Sequence, residues 1–133
     1  MKKLLLSVFA SMALLCFSCT KTVKPEQLYG EWKYIKVESP NERPAYVMPE
    51  AEVKAENPSI SFSKNNDLVI IWGGKRLSYG KFRMDGSMIR YRENLEGGIT
   101  REFPFIIREI SSDRMVFETM SQDISRITAQ KVK

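Results

Sequence analysis

From Gly30 onward, turn signals interrupt the chain at short and fairly even intervals, and the runs between them have β-strand composition. The punctuation is Lys64-Asn65-Asn66-Asp67, Gly73-Gly74, Asp85-Gly86, the stretch from Asn94 to Gly98, and Ser111-Ser112-Asp113. Such residues adopt the left-handed or side-chain-bonded conformations that tight turns require. Between them lie predicted strands at residues 31–38, 60–63, 68–72, 76–84, 87–93, 100–110, 115–119 and 124–132, eight in all. Strands joined by links this short pair with their chain neighbours, which gives an antiparallel meander closed into a barrel or folded into a sandwich. Asp85-Gly86 is the strongest hairpin signal of the set. Alternation puts Ile89 and Tyr91 on one face of their strand, with Phe82 and Met84 beside them, and sends Met88, Arg90 and Arg92 to the other. In the first strand Ile35 and Val37 are expected to share a face. Pro104, inside a long strand, calls for a bulge or an edge position because it has no N–H for the ladder.

The link from residue 39 to 59 breaks the pattern. Its prolines at 40, 44, 49 and 58 exclude a long central strand or an uninterrupted helix. Residues 50–56 can form one helical turn. Loops of this length in a compact domain are usually functional or disordered, and in a barrel this one lies across an open end.

The first nineteen residues obey different rules. Lys2 and Lys3 precede an apolar run from Leu4 to Phe17, followed by Ser18 and Cys19. The run is shorter than the roughly 20 residues that a permanent membrane helix needs. A basic start, a short apolar stretch and a small residue before a cleavage point read as a secretory signal. Phe17-Ser18-Cys19 resembles a bacterial lipoprotein signal, with Cys16 standing where a leucine is usual. That resemblance implies cleavage after residue 18, acylation of Cys19, residues 19–27 as a lipidated tether, and one domain over 28–133. Thr20, rather than an aspartate, after the cysteine favours the outer membrane by the same resemblance.

Both cysteines of the chain fall in this segment. The domain is therefore expected to be held by its core, without disulfides. The formal net charge of +5 falls to +3 once Lys2 and Lys3 are removed, and no block of like charge suggests nucleic acid. The chain has no histidine, which removes the Ser/His/Asp and Cys/His nucleophile systems and histidine-based metal sites. The sixteen acids are scattered; Glu50, Glu52 and Glu56 read as a solvated loop face. There is no phosphate-cradling or dinucleotide glycine pattern. No catalytic residues, metal or cofactor are expected, and binding is a better expectation than catalysis.

At the entry to the first strand, Gly30-Glu31-Trp32 follows a short turn over residues 26–29. Together with eight strands and a long first link, it resembles the lipocalin and fatty-acid-binding superfamily, in the compact form found in bacterial lipoproteins. The resemblance implies an all-β, eight-stranded up-and-down barrel. It further implies that Gly30 turns the chain into the barrel, that Trp32 plugs the closed end, and that a last-strand cation, here Arg126, packs across the indole.

A barrel of eight strands encloses packed side chains or one small ligand. Trp72, Tyr79, Tyr91, Phe103 and Phe105 are the candidate ligand-lining residues. Arg83, Arg90 and Arg92 would form an anion site if their face pointed inward; the phase of Ile89 and Tyr91 favours the outward placement. The first functional expectation is a membrane-anchored carrier of a small apolar or amphipathic ligand at the cell envelope, with a cavity of a few hundred Å³. The other is a non-catalytic interaction module, such as a protease inhibitor or envelope-complex subunit, presenting Tyr46-Val47-Met48.

Overall fold

The computed structural model describes residues 22–119 and 123–133; the segment expected to be a signal peptide and Cys19 lie outside them. Strands run as β1 (Gly30–Ser39), β2 (Tyr46–Val47), β3 (Ser59–Phe62), β4 (Asp67–Trp72), β5 (Lys75–Asp85), β6 (Met88–Asn94), β7 (Thr100–Ile110), β8 (Arg114–Thr119) and β9 (Arg126–Lys131), with one α-helix among the described residues, α1 (Glu50–Glu56), and short 3-10 turns at Pro25–Gln27 and Glu96–Gly98. From β3 onward each strand pairs antiparallel with the next, β1 pairs with β3, and β9 returns to β1. The result is a closed, eight-stranded up-and-down barrel. The two-residue β2 lies outside the ring, paired with Glu38 and Ser39 at the end of β1. Closure leaves the eight wall strands without a free edge.

The period-two alternation of the sequence sorts the wall. Along β5, Ser78, Gly80 and Phe82 are buried while Leu77, Tyr79, Lys81 and Arg83 are not; along β6 the buried set is Ile89, Tyr91 and Glu93. The interior is aromatic. Tyr34 meets Phe117, Phe117 meets Phe105, and Phe105 stacks on Tyr91, with ring centroids 5.7–5.9 Å apart. Phe62 and Phe82 form an edge-to-face pair at 5.1 Å. These separations suit the attraction between ring edges and faces.

Strand β1 departs from its expected phase. A bulge between Tyr34 and Lys36 inserts one residue against β9, so Tyr34 turns inward and Ile35 outward, leaving Ile35 48% exposed. Ile35 and Val37 therefore do not share a face, because one extra residue inverts the alternation. Pro104 sits inside β7 without a bulge of its own. Ser87 O accepts from Ile107 N, which makes the Arg90–Pro104 pair a non-hydrogen-bonded one toward β6. Its missing N–H faces the β8 side, where the described pairing ends at Phe105–Thr119.

The two ends differ. At the closed end Trp32 is fully buried and its indole Nε1 donates to Leu28 O at 2.8 Å. Leu28 and Val23 complete the plug, and Val23 N donates to Gly86 O at 3.0 Å, tying the incoming chain to the β5–β6 hairpin. Gly30 has φ +121°, the conformation its place at the barrel entry requires. The cation over the indole is Lys131, with Nζ 5.3 Å from the ring centroid. Arg126 does not take that role. It pairs in register with Glu38, at the far end of β1, whereas Lys131 pairs with Trp32 itself.

Arg126 belongs instead to an outer-wall cluster. The Glu118 side chain, 9% exposed, accepts from Arg108 Nε and, at 3.3 Å, from Arg126. The Arg108 hydrogen bond is the main cause that holds this carboxyl below the ordinary glutamate value of 4.5, against the opposing effect of burial. An unfolded chain takes up this proton at a higher pH than the folded one, so the stabilisation is complete above about pH 4.5 and is lost as pH falls through the lowered folded value. Urea midpoints measured from pH 7 downward are expected to fall in this acid range for the native chain. Glu118→Gln should lack that part of the slope; parallel curves would contradict the assignment.

Candidate functional site

The open end of the barrel carries the polar chemistry that its aromatic interior lacks. Ser78 on β5 and Tyr91 and Glu93 on β6 all point inward by strand phase, and all three are buried. Ser78 Oγ donates its only proton to Glu93 Oε2 at 2.5 Å, so the 2.5 Å contact between Ser78 and Tyr91 has the phenol as donor. Arg101, at the start of β7, donates to Glu93 Oε1 at 2.8 Å. The carboxylate is thus bonded on both oxygens. Its side chain is 11% exposed while that of Arg101 is 62% exposed. Burial, the largest cause, pushes the Tyr91 phenol up to about 12, against the lowering effect of its bond to Ser78. Burial also drives the Tyr34 phenol well above its ordinary value. Both phenols therefore remain neutral at physiological pH.

Around this cluster stands a half-buried apolar rim of Val37, Ile70, Trp72 and Phe103, packed on the core below. Trp72 meets Tyr34 edge-on at 6.5 Å, and Phe103 meets Tyr91 at 5.2 Å. The Arg101 guanidinium lies 5.2 Å from the Phe103 ring centroid. Such a stack is worth roughly 0.5–1 kcal/mol at an exposed site. The long link reaches this end: Gly73 N donates to Glu56 O at the end of α1. An apolar rim over a bonded carboxylate and an arginine with an exposed head can hold a molecule with one greasy and one polar part.

Four of the five expected ligand-lining residues belong to the interior: Trp72 and Phe103 in the rim, Tyr91 and Phe105 in the core beneath. Tyr79 does not. It occupies an outward phase of β5, 40% exposed, with the Arg76 guanidinium 3.8 Å above its ring. Arg83, Arg90 and Arg92 all face outward, on the wall opposite Met84, Tyr91 and the other inward residues of β5 and β6. Ser78, Glu93 and Arg101 were not among the expected site residues. Their signal was present in the alternation, since positions 78 and 93 share the inward phase with Phe82 and Tyr91. The four described pockets lie on outer surfaces, one of them between α1 and β1. None provides the deep internal cavity of a carrier. Among the described residues no group of three His, Cys, Asp or Glu side chains is placed to hold a metal ion.

No model of a known protein family matches the chain, and a search of curated proteins finds no match.

Proposed function

We propose that this is a lipid-anchored envelope protein with a lipocalin-like barrel, which binds a small amphipathic ligand at the mouth and catalyses nothing. The observation that carries the reading is the buried Ser78–Tyr91–Glu93 cluster, capped by the exposed Arg101 and set inside an apolar rim. A buried carboxylate costs free energy unless it is bonded, and a barrel closed by aromatic packing alone would not need one there. The ligand's apolar part would cover Trp72, Phe103, Ile70 and Val37. Its polar end would exchange hydrogen bonds with Glu93 or the exposed head of Arg101. The packing of Tyr91, Phe105 and Phe117 beneath the rim favours a shallow seat over a deep calyx.

Two measurements test this. Titrating the protein with 1-anilinonaphthalene-8-sulfonate, then displacing it with lauric acid, should report a saturable site. Trp72→Ala and Phe103→Ala should each weaken that site by about tenfold, as expected for loss of one half-buried aromatic contact. Absence of saturable probe binding, with no adduct in native mass spectra of protein taken from cells, would reject the carrier reading. Anchoring is a separate matter: incorporation of labelled palmitate should occur in the native chain and vanish in Cys19→Ala.

One observation favours the alternative, an interaction module. Tyr46 and Val47 of the outer β2 are 43% and 50% exposed and lie at a sheet edge. An exposed edge with apolar side chains suits addition of a partner strand. Tyr46→Ser with Val47→Ser would abolish partner capture on that reading and leave probe binding at the mouth intact.

A further inference from the structure

On the outside of the barrel, two cations face two cations. Lys81 lies directly opposite Arg92, and Arg83 directly opposite Arg90, in neighbouring rows of the β5–β6 ladder. All four point outward, since Phe82, Ile89, Tyr91 and Glu93 fill the inward phase. Like charges directly opposite each other in an antiparallel pair are destabilising. The carboxylates nearby relieve the repulsion only in part. Lys81 meets Asp67 at 2.5 Å, Arg90 meets Asp85 at 3.1 Å, and Arg83 reaches Glu102 at 3.6 Å. Arg92 has no ion-pair partner among the described residues, although Glu102 stands opposite it on β7. Between these side chains runs an open groove of about 180 Å³, lined by Lys81, Phe82, Arg83, Arg90, Arg92 and Glu102.

We propose that this wall binds the phosphates of lipid headgroups and lays the barrel on its β5–β6 side against the bilayer. Guanidinium groups grip phosphate oxygens with paired donors, and a shallow, open groove suits a headgroup that remains part of a surface. Position supplies the second argument, which rests on acylation at Cys19. Val23 is hydrogen-bonded to Gly86 in the hairpin that joins β5 to β6. Cys19 precedes Val23 by four residues, a reach of at most about 14 Å. The anchor therefore holds the hairpin, and the two cationic rows next to it, near the membrane surface. Charge at the other end agrees with this orientation. The link, which meets the barrel at that end through Glu56 O and Gly73 N, carries Glu42, Glu50, Glu52 and Glu56 against Arg43 and Lys54, so an anionic surface repels it. The mouth stays clear of the bilayer, open along its plane.

The test uses the unacylated barrel, residues 22–133, which contains every wall strand. Co-sedimentation is measured with phosphatidylcholine vesicles, with or without phosphatidylglycerol as about a third of the lipid. The barrel should bind the anionic vesicles, bind the neutral ones weakly, and lose binding as salt rises. Arg83→Gln with Arg92→Gln should weaken binding by about tenfold or more, while the charge-matched Lys54→Gln with Lys75→Gln should not. The arginine variant removes one member of each like-charged pair, so its melting temperature should not fall, which separates lost binding from lost folding. Equal partition onto both vesicle types, or equal loss in the two variants, would overturn the proposal. Displacement from vesicles by about millimolar inorganic phosphate would also overturn it, by assigning the groove to a free anion. Because this barrel carries no lipid, a failure here leaves the palmitate result at Cys19 to stand or fall on its own.

Discussion

Trp32→Ala is expected to unfold the barrel under conditions where the native chain is stable. The indole is fully buried, wedged in β1 between Ile60 of β3 and Lys131 of β9, with Leu28 beneath it. Truncating a buried tryptophan costs about 3–5 kcal/mol through lost transfer and the cavity left behind. The variant also strips Leu28 O of its donor, and an orphaned buried acceptor adds about 1–3 kcal/mol. Against a typical domain stability of about 5–15 kcal/mol, most of the margin goes. Trp32→Phe should fall between, since it keeps much of the apolar volume and loses the hydrogen bond. Lys131→Gln should cost about 1 kcal/mol or less, the worth of an exposed cation over a ring. Arg126→Gln should leave the Trp32 environment unchanged. Urea unfolding followed by far-ultraviolet circular dichroism ranks the four. A Trp32→Ala midpoint close to the native one would show that the plug is not where closure is secured.

The wall strands were legible because their information is local. Turn residues delimit them, and in β5 and β6 the alternation fixes which side chains face in. What was hidden is non-local or runs against composition. The bulge that turns Ile35 out depends on how β9 closes against β1, and nothing near residue 35 announces it. The same closure decides that Lys131, not Arg126, reaches Trp32: the two lie at opposite ends of β9, and only the register with β1 chooses between them. The aromatic character of Tyr79 suggests a lining residue, but its phase along β5 turns it outward. Ser78 and Glu93 show the converse, with polar character in an inward phase. A polar residue in an inward phase looks like a strand end until its partners are known, and Arg101, which completes the cluster, comes from the next strand. The mouth was thus half legible, its rim from composition and its polar base only from pairing.

Gly80→Ala tests the tightest point in the wall, and its effect should far exceed that of the glycines in turns. Gly80 lies in the inward phase of β5 between Ser78 and Phe82, paired with Leu68 on one side and Glu93 on the other. A methyl group there would sit 1.9 Å from Arg92 O, 2.9 Å from Arg92 C and 3.0 Å from Glu93 Cα. Carbon–oxygen contacts of even the attractive kind stand at about 3.3–3.6 Å, so the overlap exceeds an ångström. The obstructing atoms are backbone, and no rotamer change removes them. Strands β4 and β6 hold β5 from both sides, so relief requires breaking the β5–β6 ladder. Overpacking usually costs about 1–3 kcal/mol; the rigid neighbours put this case at the upper end or above. By contrast, Gly86→Ala and Gly74→Ala meet nothing within 4 Å and differ only by a positive φ, a cost of about 1–2 kcal/mol. The strand shift would carry Glu93 away from Ser78, so probe affinity at the mouth should fall together with the melting temperature. A Gly80→Ala barrel as stable as Gly86→Ala would mean that β5 and β6 do not approach so closely. A destabilised barrel with unchanged probe affinity would separate the mouth cluster from the ligand site.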